Sequence, residues 1–235
     1  MSKKIFKKRM WGVIAFNTGL FLCLYSFESR TDKGPFRGVN VGVKAGVAQH
    51  DDKISSLTNV GGPIQDTVSV SGHTPVFGMQ FEVECPLLSS LYLGTVLGAD
   101  LGLNHARSRI NTTIPVSYYQ ASLKHKIELA LKFGRPYADV FPFLKLGAVF
   151  GQWQIKSRAI GGYNNKKQYR LGLLAGAGID FKINADWTWG GLVEYERYKA
   201  IKGRYLPANG AASFSDWVAK PALTTASIHF KKKIL

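Results

Sequence analysis

Residues 170–182 read RLGLLAGAGIDFK, and this stretch decides the fold. Every second residue in it is apolar, whereas the intervening positions carry mostly glycine or charge. A period of two is the signature of a β-strand with one apolar face. Gly172 and Gly176 also have the spacing of a helix dimerisation motif, and Gly176 and Gly178 that of a phosphate-binding loop. Neither alternative holds, because no apolar helix of membrane length surrounds these glycines and no helix pattern follows them.

The same alternation recurs along the chain and predicts eight strands, each about 10–15 residues long. A tilted strand needs about 9–11 residues to cross a bilayer, whereas strands of soluble proteins average about 5–6 residues. The predicted strands lie within about residues 36–230, in the segments FRGVNVGVKAGVAQ, PVFGMQFEVE, LYLGTVLGADLGLN, YYQASLKHKIELALK, FPFLKLGAVFGQW, RLGLLAGAGIDFK, WTWGGLVEYERYKA and PALTTASIHF.

The predicted connections alternate between short turns and long polar loops. The short turns are residues 85–90, 134–140 and 183–186, and the long loops are residues 49–73, 105–115, 157–167 and 202–219. This asymmetry is typical of membrane barrels with short periplasmic turns and long outer loops. Closure is required because an open sheet edge would leave backbone groups unpaired in hydrocarbon. The predicted fold is therefore all-β, an eight-stranded antiparallel up-and-down transmembrane β-barrel.

The first residues have a different composition and predict export. A basic segment, MSKKIFKKRM, precedes an uncharged and mostly apolar run, which is the pattern of a secretory signal peptide. We expect a signal peptide over residues 1–26 and a barrel domain over 27–235, with an uncleaved membrane anchor as the alternative. Cleavage would leave Cys85 as the sole cysteine, which predicts no internal disulfide.

Taken together, these features resemble the eight-stranded outer-membrane β-barrel proteins, the OmpA/OmpX-type barrels and the porin-like surface proteins grouped with them. The resemblance implies a monomer in the cell outer membrane, surrounded by lipid and lipopolysaccharide. It also implies that the outer-membrane assembly machinery recognises the last strand near Phe230. Members of this class usually end at such an aromatic residue, but here the tail KKKIL follows it.

The polar face of the predicted strands carries many charged side chains. An eight-stranded barrel is narrow and is normally filled by side chains, and buried charges must pair. We therefore predict an ion-pair network instead of an open channel, with the glycines of residues 170–182 leaving room for long side chains from other strands. The predicted network consists of Lys44, Glu82, Asp100, Lys124, Lys126, Glu128, Lys145, Arg170, Glu194 and Glu196.

No catalytic, metal or cofactor site is predicted. Glu194 and Glu196 could suggest acid–base catalysis, but a salt-bridged lumen explains them better. The histidines lack metal-ligand spacing. His105 and Ser108 are three apart, and so they do not match the H-x-S pattern of lipid A deacylases.

The formal net charge of +16 indicates an acidic partner. We expect Arg107, Arg109, Lys199 and Arg204 at the outer rim to contact lipopolysaccharide phosphates, with loop solubility as the alternative and no role in nucleic-acid binding. The predicted function is a non-enzymatic outer-membrane barrel with a structural, surface-adhesion or small-solute porin-like role. The alternatives are a lipid A-modifying barrel enzyme and a soluble, exported, lipocalin-like ligand binder, in which the apolar face would point inward.

Overall fold

The structure is a computed structural model that describes residues 36–58, 64–88, 90–102, 106–110, 117–159, 162–205 and 215–235. The predicted signal peptide lies outside these residues. The strands are β1 (Gly38–Thr58), β2 (Ile64–Leu88), β3 (Leu91–Gly102), β4 (Ala106–Ile110), β5 (Ser117–Gly134), β6 (Val140–Ala159), β7 (Gly162–Lys182), β8 (Trp187–Tyr198), β9 (Ile201–Tyr205), β10 (Ser215–Lys220) and β11 (Ala222–Lys233). Within the described ranges, no helix is long and apolar enough to span a membrane.

The strands close into an eight-stranded antiparallel barrel, as predicted from the sequence. Around the wall the order is β1, β2, β3, β5, β6, β7, β8 and β11, and β11 pairs with β1 from Asn40↔Lys233 to His50↔Leu223. Three short strands continue this wall at one end: β4 pairs with β5, β10 pairs with β1, and β9 pairs with β10. Closure gives the backbone groups of the first and last strands a partner, which a sheet in hydrocarbon requires.

The apolar face of each strand points outward. Leu173 is 74% exposed and Met79 is 63% exposed, whereas Glu128 and Glu194 are fully buried in the lumen. This orientation suits a barrel solvated by lipid and is opposite to that of a soluble ligand-binding barrel, whose apolar face would line the interior. The lipocalin-like alternative is therefore not compatible with the fold.

Several strands are longer than the sequence predicts. β1 has 21 residues, β2 has 25, and their pairing continues to Thr58↔Ile64. β6 and β7 likewise pair as far as Ala159↔Gly162, so the predicted loops 49–73 and 157–167 are mostly strand. A tilted strand of this length rises about 50 Å, well beyond a hydrocarbon core of about 30 Å. Beyond the hydrocarbon core, a strand is not required to have an apolar face. The alternation that indicates a strand in the sequence is therefore lost there.

The last strand also extends past its predicted end at Phe230. β11 continues to Lys233, and the tail then pairs with β1: the Ile234 N–H donates to Val39 O at 2.8 Å, and the Val39 N–H donates to Leu235 O at 2.9 Å. Gly38 allows this docking because its φ is +146° and because a Cβ there would collide with Leu235 O. The KKKIL tail is therefore part of the barrel wall.

Cys85 is disulfide-bonded in the structure. The prediction of no internal disulfide concerns the chain after removal of residues 1–26, and for that chain it stays a prediction.

Candidate functional site

The lower half of the lumen, near the short turns, is organised around Lys132. β5 directs this side chain inward, where its Nζ lies 2.5 Å from Glu84 Oε1, 2.6 Å from Asp180 Oδ2 and 3.2 Å from Glu82 Oε2. The same ammonium group lies 4.2 Å from the ring centroid of Phe143. One lysine thus joins three buried carboxylates from two other strands.

β11 supplies the second cation of this lower cluster. Lys231 Nζ lies 2.9 Å from Glu82 Oε2 and 2.5 Å from Asp180 Oδ2. His229, two residues earlier on the same face, places Nε2 2.6 Å from Asp180 Oδ1. The lower cluster therefore comprises Lys132, Lys231, His229, Glu82, Glu84 and Asp180.

A second cluster fills the middle of the lumen. Lys145 Nζ lies 2.7 Å from both Glu128 Oε1 and Glu194 Oε1. Lys44 Nζ lies 2.9 Å from Asp100 Oδ2 and 3.5 Å from both Glu128 and Glu194. We call this the upper cluster; it comprises these five residues together with Lys126, Glu196 and Tyr198. Lys126 pairs with Asp100 and Glu196, and the Tyr198 hydroxyl donates to Glu196 Oε2.

Glycines of the polar face make room for these side chains, as the sequence predicts. A Cβ on Gly98 would lie 2.6 Å from Glu128 Cγ, and one on Gly176 would lie 3.1 Å from Glu194 Cγ. Larger residues at these positions would displace the carboxylates from their lysines.

Apolar layers cover the two clusters from both ends. On the outer side Trp153 is fully buried, with its ring 5.1 Å from that of Tyr198 and 5.8 Å from that of His50. The rest of this outer plug consists of buried apolar side chains that include Leu123, Ile155, Ile201 and Leu223. On the short-turn side the buried rings of Phe36, Tyr92, Phe141 and Phe143 form an inner plug.

The structure brings most of the predicted network residues together. The ion pairs of the two clusters include Lys44, Glu82, Asp100, Lys126, Glu128, Lys145, Glu194 and Glu196. Arg170 is half-buried, and its guanidinium donates to Tyr169 O and to the Gln168 side chain. Arg170 makes no ion pair with another described residue.

The prediction that Lys124 belongs to the network in the lumen is wrong, because its side chain is exposed on the outer surface. The pairing of β5 with β6 shifts between Leu123 and His125, so Lys124 is the extra residue of a β-bulge. A bulge reverses the alternation on one side of it. As a result Leu123 points into the outer plug, although strict alternation assigns it to the lipid face.

Sequence reasoning missed Lys132, Lys231 and His229 as network members. Lys132 lies on the polar face of its strand, so the period-two pattern already contained the signal. Lys231 was hidden because the strand was expected to end at Phe230. Both lysines matter here because the lower cluster would otherwise have three carboxylates and no lysine.

The lower cluster also contains three carboxylates that lie close enough together to hold a metal ion. Ligand atoms of Glu82, Glu84 and Asp180 lie within 4.8 Å of one another. The ammonium groups of Lys132 and Lys231 already lie between these carboxylates at hydrogen-bond distance. The arrangement is that of an ion-pair cluster whose cations are lysines.

The predicted lipopolysaccharide contacts lie at the end opposite the short turns. Lys199 is exposed between β8 and β9, and its backbone N–H donates to the backbone carbonyl of Leu171 at 2.9 Å. Arg107 and Arg109 lie in β4 opposite Gln120 and Tyr118, and Arg204 lies in β9 opposite Asp216. The side chains of these three arginines lie outside the described part of the structure.

Further exposed cations lie towards the same end of the barrel as Lys199. Lys167 lies on β7 and Arg197 lies on β8, where the strand register places Arg197 opposite the exposed Leu173. Together with Lys124 on β5, they form a basic border directly above the apolar band. We call this set the outer basic face; it consists of Lys124, Lys167, Arg197 and Lys199.

Comparison with known proteins identifies the fold. No protein-family model and no curated protein matches the sequence. Outer membrane protein OprG from Pseudomonas aeruginosa is similar in structure, with a TM-score of 0.57 and 13% identity over 84% of this chain and 97% of OprG. Neisserial surface protein A gives 0.40 and 13% identity over 83% and 97% of the two chains. Outer membrane protease OmpT from Escherichia coli gives 0.43 and 10% over 88% and 99%.

The chain therefore has the fold of the eight-stranded outer-membrane β-barrels. At 13% identity the likeness to OprG concerns the fold alone.

Proposed function

We propose that this protein is a non-enzymatic component of the bacterial outer membrane, with a closed lumen and a structural or surface role. The observation that carries the proposal is the filled interior, in which two ion-pair clusters lie between two apolar plugs. A lumen of this kind favours rigidity over small-solute passage. The long strands β1, β2, β6 and β7 support a surface role, because they extend the wall past the apolar band.

A catalytic role has one geometric argument in its favour. His50 Nε2 lies 2.9 Å from Thr74 Oγ1, and His50 Nδ1 lies 3.5 Å from Asp52 Oδ2, in the order of a carboxylate–imidazole–hydroxyl triad. All three side chains are buried, and Asp52 Oδ1 accepts a hydrogen bond from the Ala222 N–H. The arrangement is better explained as a set of structural contacts that stabilise the junction of β10 and β11, since a substrate would have no access to it.

Cell fractionation tests the proposed location and activity. The folded chain is expected in the outer-membrane fraction, with faster gel migration before boiling than after it. Lipid A from cells with and without the protein should have the same mass spectrum. A soluble periplasmic chain would contradict the location, and a protein-dependent change in lipid A mass would contradict the non-enzymatic role.

We further propose that the outer basic face contacts phosphates of the outer-leaflet lipid. Arg197 and Lys199 follow the exposed Tyr195 on the outer face of β8, where an apolar band meets head groups. Lysine and arginine side chains pair with phosphate, each contributing about 1 kcal/mol near an anionic surface.

The double variant R197Q/K199Q is expected to bind lipopolysaccharide about thirtyfold more weakly, because two phosphate contacts are lost. Binding is measured as lipopolysaccharide retained per folded barrel at increasing salt. The control variant R135Q/K232Q removes the same charge from the opposite, short-turn end of the barrel, where Arg135 and Lys232 are exposed. Equal losses in both variants would indicate a net-charge effect and contradict a specific face.

A further inference from the structure

The outer face of β5, β6 and β7 carries a polar pair of side chains at the upper border of the apolar band. His125 Nε2 on β5 lies 3.2 Å from the Tyr169 hydroxyl oxygen on β7, across the β6 residue Gln152. The Tyr169 ring stacks on that of Phe150, with 5.2 Å between the centroids and 8° between the planes. Rings with a polar tip are typical of the boundary between hydrocarbon and head groups.

Two exposed lysines flank this pair on the side of the long loops. Lys167 on β7 lies opposite Gln154, and the β-bulge of β5 places Lys124 next to His125 on the other side of β6. The strands on either side of β6 are about 10 Å apart, a distance that the His125 and Tyr169 side chains already bridge. The two lysine side chains are long enough to reach the same space, so one anion can contact both ammonium groups.

No acidic side chain on these three strands competes for the lysines. β5, β6 and β7 contain two acidic residues, Glu128 and Asp180, and both are buried in the lumen. Neither Lys124 nor Lys167 makes an ion pair with another described residue. The outer face of β1 differs, since it exposes Asp51. The positive charge above the His125–Tyr169 pair is therefore available to a ligand.

We propose that this patch is the subsite for a phosphomonoester of lipid A, with the phosphate held between Lys124 and Lys167. The inference deepens the proposed contact between the outer basic face and lipid phosphates, and it rests on that proposal. A phosphomonoester carries a charge of about −1.5 to −2 at pH 7, which matches two ammonium groups. The phosphodiester of a phospholipid carries a single charge. The His125–Tyr169 pair supplies further hydrogen-bonding groups beside the phosphate.

The surroundings of the subsite favour a lipid over a free phosphate ion. The strand register aligns Ile127, Phe150 and Leu171 directly below the polar pair, and all three side chains are exposed on the outer surface. This apolar row offers a surface to acyl chains beneath the head group. The subsite lies at the end opposite the short turns, which faces the outer leaflet in the proposed location. Lipid A combines phosphomonoesters and acyl chains in that leaflet.

The test titrates the full chain, folded in a neutral detergent, with three lipids in mixed micelles. They are bisphosphorylated lipid A, dephosphorylated lipid A and phosphatidylglycerol, which carries one phosphodiester. The NMR signals of the His125 imidazole, assigned with the variant H125Q, report on the subsite, and gel migration without boiling verifies folding. The test variant is K124Q/K167Q. It is compared with R197Q/K199Q and with the short-turn control R135Q/K232Q.

Bisphosphorylated lipid A is expected to bind saturably and to shift the His125 signals, and the other two lipids should bind at least tenfold more weakly. K124Q/K167Q should weaken binding of bisphosphorylated lipid A about thirtyfold, and R135Q/K232Q should leave it unchanged. If R197Q/K199Q weakens binding and K124Q/K167Q does not, the subsite is overturned while the wider lipid contact stands. If neither variant weakens binding, both proposals fail. Equally tight binding of phosphatidylglycerol, or unmoved His125 signals, would also overturn the subsite.

Discussion

Replacing Lys132 with methionine is expected to lower the free energy of unfolding by about 3–5 kcal/mol, because it leaves buried carboxylates without a cation. Lys132 contacts Glu82, Glu84 and Asp180 inside the lumen, and Lys231 reaches only Glu82 and Asp180. Glu84 would therefore lose its lysine partner. Methionine keeps the unbranched shape of the side chain, so the loss is one of charge more than of volume.

The measurement is urea unfolding of the barrel in lipid vesicles, followed by gel migration without boiling. The control is K232M, which makes the same replacement at an exposed lysine on the outer surface of β11. We expect it to change the unfolding free energy by less than about 1 kcal/mol. In the variant K132M/E84Q, the second change removes the orphaned carboxylate, and part of the stability should return. A loss below about 1 kcal/mol for K132M would contradict the role given to the lower cluster.

The fold was predictable because lipid imposes a strict pattern on the membrane-spanning part of each strand. Leu171, Leu173 and Ile179 face outward, and Asp180 faces inward, as the period of two requires. The same physics explains where prediction fails. Past the apolar band neither face must be apolar, so the pairing of β1 with β2 up to Thr58 left no signal in the sequence.

The lumen was predictable as a set of charges but not as a set of partners. Period-two alternation puts Lys145 and Glu194 inside, but their 2.7 Å contact depends on the register between strands. The bulge at Lys124 shows how a single extra residue changes which side chain points inward. The docking of the tail was not predictable at all, since the hydrogen bond from the Lys233 backbone N–H to Asp186 O depends on how the tail meets the β7–β8 turn.

A closed lumen has a direct consequence for ion conduction. An ion crossing the barrel would have to pass the inner plug around Phe141, both ion-pair clusters and the outer plug around Trp153. Moving a cluster lysine aside would leave its carboxylates unpaired, which costs several kcal/mol. Trp153→Ala removes one side chain of the outer plug but leaves both clusters, so this variant should also remain closed.

Single-channel recording in planar bilayers tests the closed lumen most directly. The folded wild-type protein, inserted at levels verified by gel migration, is expected to show no steady conductance above that of the bare bilayer. An open porin recorded in the same bilayers controls for insertion and detection. A large, stable and ohmic conductance from the wild-type barrel would contradict the account, because no continuous water path is compatible with the two clusters and their plugs.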